Sequence, residues 1–243
     1  MARAVAGGAA DGQRARVARA IKACALFERV QRATREAVTA AAIIEVVPGG
    51  TLVVEQGTTP DALVILARGR ARVERTTLDA RTMPLGYRSS GDVLGETCLA
   101  RVKRHTENAT TMEEAEVVRI PLSVLNELLS TDGSLAQAVL QLLLARQRET
   151  EGRIESLLFR DVEGRLAEFL VKAADRWGVP TPKGMLISAP ITHLEIAQGI
   201  GSTRETVTLT LGALRRAHVL DVAGRRLIVR DAAALAKRAA AVV

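Results

Sequence analysis

The sequence predicts an α+β chain in three parts: a β-rich N-terminal domain, a long helix, and two short helices followed by a β-hairpin. Three observations carry this. Between Ile43 and Ile120, short β-prone runs are punctuated by glycines. Ser134 to Phe159 holds no proline and one glycine, Gly152. Ile191 to Leu214 reads as two capped helices across a tight turn.

From the N-terminus, residues 1–13 are rich in Ala and Gly and are expected to fray, and Arg14 to Cys24 can form a helix with a basic outer face. The β-prone runs are IIEVV (43–47), TLVVE (51–55), LVILA (63–67) and ARVER (71–75), with Gly49-Gly50, Gly57, Gly69 and Gly91 between or beside them. Many short strands with glycine turns indicate a sandwich, roll or barrel. In the long helix, Leu140, Leu144, Gln147, Glu151, Ile154 and Leu158 alternate by four and three, a heptad seam with apolar ends and a polar middle. The seam suits a two-fold dimer interface.

The C-terminal pattern is the most specific. Thr192 and Glu195 have the spacing of a capping box, and Ser202 and Glu205 repeat it, with Thr203 a second cap candidate. Ile196, Ile200 and Val207 can meet between crossed helices, Ala197 is small where they approach, and Gly201 suits a turn with positive φ. Thr203, Arg204, Glu205 and Thr206 then occupy the first turn of the second helix. That position reads base edges in helix-turn-helix proteins, where arginine pairs with guanine and glutamate accepts from cytosine. Val219–Val222 and Arg226–Val229 are β-prone, with Ala223-Gly224-Arg225 as their turn. Arg225 and Arg226 at that tip are placed for phosphate contact.

Composition narrows the classes. A chain of 243 residues has room for two cored domains, and its net charge of +7 suits a polyanionic partner. Aromatics at 2% argue against base-stacking platforms for single strands. No apolar run reaches membrane-spanning length and no signal peptide is visible, so a cytoplasmic location without membrane partners is expected. Cys24 and Cys98 are too few for a four-cysteine cluster and read as buried small hydrophobes. With His105, His193 and His218 they make no zinc spacing, so no metal is expected. No paired carboxylates, nucleophile–base set or P-loop appear, which excludes an enzyme.

The stretch ITHLEIAQGIGSTRETVTLTLGALRRAHVLDVAGRRLIV, above all STRETV, resembles the DNA-binding domain of the cyclic AMP receptor protein/FNR superfamily of bacterial transcription regulators. FRDVEGRLAEFL (159–170) is similar to that family's hinge, and the likeness continues back to about residue 40. The resemblance implies a sensory domain at 1–130 with a β-roll of the cyclic-nucleotide-binding type at about 40–121. A dimerisation helix at 131–160 and a winged helix-turn-helix at 161–243 follow. It implies a homodimer on an inverted repeat of double-stranded DNA. Its DNA-binding residues are Thr192, His193, Ser202, Thr203, Arg204, Glu205, Thr208, Leu209 and Arg225. Leu209 departs from the pattern, standing where a second base-reading arginine is expected; leucine can touch a thymine methyl instead. Arg176–Gly184, read as an exposed loop, falls in the region where the family meets RNA polymerase. Asp161-Val162-Glu163-Gly164 is where a signal is expected to pivot the long helix.

The resemblance places a ligand site at Gly95, Glu96, Thr97, Arg104, His105, Thr106, Thr150 and Glu151. Gly95-Glu96 match the opening of the phosphate-binding cassette. His105-Thr106, however, stand where Arg-Ser is expected, Arg104 comes one residue early, and Glu107 brings an unfavourable charge toward a phosphate. Cyclic AMP, another effector such as a cyclic dinucleotide, and no effector at all stay open. Gln147 and Glu151 either set dimer register, or Thr150 and Glu151 meet a ligand. A nucleotide-sensing module acting through a protein partner is the alternative to a DNA-binding regulator.

Overall fold

The computed structural model describes residues 2–100, 102–189 and 191–241, with side chains from residue 12 onward. It divides into two compact units, Met1–Arg146 and Gln147–Val243. The first opens with α1 (Ala2–Ala23), a 3₁₀ turn (Ala25–Phe27) and α2 (Arg32–Ala41). Eight strands follow: β1 (Ile43–Val47), β2 (Leu52–Val54), β3 (Ala62–Arg68), β4 (Arg70–Thr76), β5 (Thr82–Ser89), β6 (Val93–Leu94), β7 (Asn108–Thr111) and β8 (Ala115–Pro121). They form two four-stranded sheets, β1-β8-β3-β6 and β2-β7-β4-β5, antiparallel throughout.

β3 shows why its run is continuously apolar instead of alternating. Its residues Leu63 and Ile65 join a cluster with Ile21, Phe27 and Val38 of the helical segments, while Val64 and Leu66 join Val53, Val73 and Ala109 of the second sheet. Both faces are therefore covered, and alternation disappears. β8 repeats the division, with Val118 and Ile120 on the helical side and Ala115 and Val117 between the sheets. Each such fully buried Val, Leu or Ile side chain contributes about 1.5–3 kcal/mol.

The N-terminal expectation needs correction: α1 starts at Ala2, so residues 2–13 of that stretch are helical rather than frayed, residue 1 lying outside the described residues. Alanine has the strongest intrinsic helix preference, and propagation from a segment anchored by buried Val17 and Ile21 outweighs the glycines.

After α3 (Leu122–Thr131) comes α4 (Gly133–Phe159), which matches the proline-free stretch. Its start is set by Asp132, whose carboxylate accepts from the Thr34 hydroxyl at 2.6 Å and from Ser134 N at 2.8 Å. Those hydrogen bonds, Thr34 first, hold the carboxyl below its usual range. Leu135 and Val139 pack on the helical side of the roll, whereas Leu140, Leu144, Ile154 and Leu158 are exposed. The division between the units falls within this helix.

The second unit contains α5 (Val162–Trp177), β9 (Gly178–Thr181), β10 (Gly184–Ile187), α6 (His193–Ile200), α7 (Arg204–Arg216), β11 (Leu220–Ala223), β12 (Arg226–Val229) and α8 (Ala232–Ala239). The strands form one antiparallel sheet, β11-β12-β10-β9. The expected loop at Arg176–Gly184 is thus not a loop. Arg176 and Trp177 end α5, and β9 and β10 form a hairpin in which Thr181 pairs with Gly184. Pro180 is tolerated because β9 is an edge strand. The wing turn is also tighter than expected, since Ala223 pairs with Arg226 and only Gly224-Arg225 lie between. Among the described residues no single helix is long and apolar enough to cross a membrane.

Candidate functional site

The helix pair α6–α7 is built from its caps inward. Thr192 caps α6 with a complete capping box: its hydroxyl accepts from Glu195 N at 3.2 Å, and the Glu195 carboxylate accepts from Thr192 N at 2.8 Å. α6 ends at Gly201, which adopts φ 63° and ψ 52°. A β-carbon there would lie 3.0 Å from Leu157 Cδ2, so both the backbone and the neighbour favour glycine. One expectation fails locally. Thr203, not Ser202, caps α7, accepting from Thr206 N at 3.2 Å, so the Ser202–Glu205 box does not form and Thr203 precedes the first turn. Both residues are good caps; the turn geometry after Gly201 decides between them.

Ile196, Ala197, Ile200, Val207, Leu211 and Leu214 are buried together at the crossing. The opposite side of α7 carries Arg204, Glu205, Thr208 and Leu209, all exposed. Leu209 is 73% exposed, which decides that it takes no part in the domain's own core. Thr208 donates its hydroxyl to Arg204 O at 2.9 Å and therefore offers a lone pair to His193 Nδ1, also at 2.9 Å. With the Thr208 proton used in that way, the contact requires the proton of the His193 ring to be on Nδ1. Thr192 stands at the start of α6, Ser202 and Thr203 at the start of α7, and Arg225 and Arg226 lie at the β11–β12 turn. The arrangement offers one reading face and flanking phosphate donors, the chemistry of a groove-binding helix.

Upstream of this pair, α5 is tied to the end of α4. Asp161 caps α5 by accepting from Gly164 N at 2.7 Å. Glu168 accepts from Ser156 Oγ at 2.5 Å, Arg160 at 2.6 Å and Lys172 at 2.6 Å. Burial pushes the Glu168 carboxyl up, but the bonds from Lys172 and Ser156 and the nearby cations outweigh it and hold the group below its usual range. Arg165 donates to Ile200 O at 2.8 Å and Arg160 O at 2.7 Å. Nothing in the sequence pairs these groups, and none of them is among the expected site residues.

In the roll, Gly95 leaves β6 within close reach of His105, whose Cε1 would stand 3.1 Å from an added β-carbon. Glu96 is buried and accepts from Arg146 Nε of α4 at 2.5 Å. His105 is buried, its Nδ1 has no hydrogen-bond partner among the described residues, and burial lowers its pKa, so the ring is neutral near pH 7. Arg104 is exposed and donates to Gly57 O at 2.6 Å. Thr106 is exposed and its carbonyl accepts from Arg75 at 2.9 Å; Thr97 Oγ1 is buried without a partner among the described residues. Glu107 is buried, and its carboxyl is pushed up by burial and by Glu96, against the pull of Arg88, Arg75 and Arg146. Arg88 itself is 5% exposed on β5. This cluster sets two carboxylates among three guanidiniums, and the expected phosphate position carries an imidazole and a carboxylate.

The remaining candidates lie apart from this cluster in the chain. Thr150 and Glu151 are on the part of α4 belonging to the second unit, where Gln147 donates to Glu151 at 2.8 Å. Cys24 and Cys98 are free and buried, and burial pushes their thiols up to about 11 and about 12. They behave as small hydrophobes.

Residues 44–132 match the cyclic nucleotide-binding domain family, and residues 164–238 match the Crp-like helix-turn-helix domain family. The chain is 29% identical over 192 residues to the CRP-like cAMP-activated global transcriptional regulator of Mycobacterium tuberculosis, covering 79% of this chain and 86% of that protein. It is 28% identical over 197 residues to the global nitrogen regulator of Synechococcus elongatus, covering 80% and 89%. A crystal structure of a CRP-family transcriptional regulator from Thermus thermophilus superposes with a TM-score of 0.69 at 26% identity, over 81% of this chain and 97% of that one. With a sheet domain of the nucleotide-binding type, a long helix and a helix-turn-helix, the chain belongs to the CRP/FNR superfamily and is a DNA-binding transcription regulator, not an enzyme.

Proposed function

We propose that the chain works as a homodimer on an inverted-repeat operator with half-sites about one helical turn, ~10 bp, apart. The carrying observation is the single exposed face of α7. Arg204 and Glu205 reach base edges from its first turn, and Thr208 and Leu209 extend the contact one turn further. Thr192, His193, Ser202, Thr203 and Arg225 hold the phosphates on either side. Leu209 selects a thymine methyl where an arginine would select guanine. Two α4 helices pair along Leu140, Leu144, Gln147, Glu151, Ile154 and Leu158. This reading is supported by the exposure of Leu140 at 57% and Leu158 at 69%, a cost that a second copy removes. RNA polymerase is the protein partner, met through the β9–β10 hairpin, and a chromosomal target puts the protein in the cytoplasm.

Cyclic AMP activates the Mycobacterium tuberculosis relative, as that protein's name states. In this chain a cyclic phosphate would meet neutral His105 and buried Glu107, with Arg104 committed to Gly57 O. Binding an anion there requires Arg104 to leave the Gly57 carbonyl and brings the phosphate against the Glu107 carboxyl. We therefore take DNA binding without cyclic AMP as the working mode. An effector that does enter the roll meets Gly95, Glu96, Thr97, Arg104, His105 and Thr106.

The test is site selection from random duplexes by the purified full chain, alone and with cyclic AMP or a cyclic dinucleotide. A palindrome selected without nucleotide is the expected result. A palindrome that appears only with one nucleotide overturns the nucleotide-free mode and identifies the effector. No palindrome under any condition overturns the operator reading in favour of a protein partner.

A further inference from the structure

We propose that Arg165 is a positioning residue: it locks the turn between α6 and α7 to the last turn of α4, and so fixes the separation of the two reading helices. The proposal rests on the dimeric operator reading above.

The argument starts from helix ends. The last carbonyls of a helix have no partner within it. Arg160 O follows the end of α4, and Ile200 O and Gly201 O stand at the end of α6. One guanidinium serves all three, with Nε to Ile200 O at 2.8 Å, one terminal nitrogen to Arg160 O at 2.7 Å and the other to Gly201 O at 3.5 Å. The planar fork of arginine has donors in the directions this needs; a lysine ammonium radiates its donors from one point and cannot span two helix ends.

A second tie runs alongside. Glu168, one turn further along α5, holds Ser156 and Arg160 of the α4 end. Leu157 of α4 lies against Gly201 in the turn itself. The segment 161–164, expected to flex, is therefore bracketed by bonds on both sides. The compact unit that contains α6 and α7 begins at Gln147, so the last turns of α4 belong to it. Through Arg165, a displacement of the α4 end reaches the turn that aims α7 without being absorbed at the joint.

The experiment varies operator geometry. Duplexes carrying the selected inverted repeat, with the spacer lengthened or shortened by one and two base pairs, are titrated with wild type, Arg165→Met and Arg165→Lys. A single half-site duplex is titrated in parallel. Wild type is expected to prefer one spacer by at least about tenfold, the worth of one or two charged hydrogen bonds. In Arg165→Met the preference should fall to within about threefold while half-site affinity holds within about twofold. Arg165→Lys should lie between, and it carries the same comparison if the methionine variant does not fold. A merely structural arginine would instead lower half-site affinity and leave the spacer ratio intact, which overturns the proposal. A wild type with no spacer preference overturns the dimeric operator reading and this assignment together; a preference retained in both variants overturns the Arg165 assignment alone.

Discussion

Replacing Gly201 by alanine tests whether the turn between α6 and α7 is built as described. The residue sits at φ 63°, a region that costs an L-amino acid about 1–2 kcal/mol. Alanine also restricts the unfolded chain, which returns about 0.4–1 kcal/mol. The backbone part of the change is therefore a destabilisation of about 1 kcal/mol. The new methyl meets Leu157 Cδ2 at 3.0 Å, but that side chain is 52% exposed and can swing away. This contact adds about 0.5 kcal/mol, and that share should vanish in a Leu157→Ala background. The assay is urea unfolding of the full chain followed by tryptophan emission. Trp177 is the one tryptophan, lies at the end of α5 and is 8% exposed, so its signal reports the second unit. A total loss of about 1.5 kcal/mol lowers the midpoint by about 0.5–1.5 M urea with an unchanged slope. Gly201→Asn should fall between wild type and alanine, because asparagine tolerates the left-handed region. An unchanged or higher midpoint for Gly201→Ala refutes the left-handed turn. An equal cost with and without Leu157 refutes the contact between the α4 end and the turn.

Other outcomes follow from the reading face and from the roll. Arg204→Ala should lose ~1–3 kcal/mol on the selected operator and relax preference at one base pair, measured by competition with single-base variants; equal loss on random DNA would reduce it to a phosphate contact. Leu209→Arg should shift preference at one position toward guanine in repeated site selection, and an unaltered consensus would remove Leu209 from the interface. Arg225→Ala should weaken operator and random DNA alike and flatten the salt dependence of binding by about one unit per protomer. Glu107 is raised in the folded state from an ordinary value of 4.5, so its ionised form is the one the fold disfavours. Its contribution to stability is therefore lost as pH rises through the ordinary carboxylate range to the raised value. Glu107→Gln should raise the melting temperature at pH 7, with the gain shrinking as pH falls below that range; a gain independent of pH would show packing rather than charge at work.

Much of this architecture can be read from local patterns, because local chemistry produces it. The Thr192–Glu195 box, the left-handed Gly201 and the β11–β12 wing each rest on residues within a few positions of one another. The run LVILA is legible as a strand, but only the two-sheet packing explains why it does not alternate. β9 escapes a reading of the sequence because four residues including Pro180 carry no strand period, and its pairing with β10 supplies what propensity lacks. The cap moves from Ser202 to Thr203 because two adjacent residues of nearly equal merit differ only through the turn before them. The roll's charge cluster joins Arg88, Glu96, Glu107 and Arg146 from four separate segments, and no short window contains it. Its one local clue is the alternation in β5, which turns Gly86 and Arg88 inward together. Arg165 likewise gives no sign, since its partners are carbonyls 5 and 35 residues away and any residue type provides those.

The two sulfhydryls buried in the first unit have a practical consequence for watching this protein move. Maleimide and methanethiosulfonate reagents attack the thiolate, and Cys24 and Cys98, at about 11 and about 12 and each within 1% of full burial, present almost none at neutral pH. The natural chain should therefore react little with such probes. A single cysteine placed at exposed Leu78 or Val179, outside the proposed seam and reading face, can carry a spin label or fluorophore without first stripping the native ones, and distances between two copies in the proposed dimer can be followed on and off DNA in a protein whose interior has not been altered.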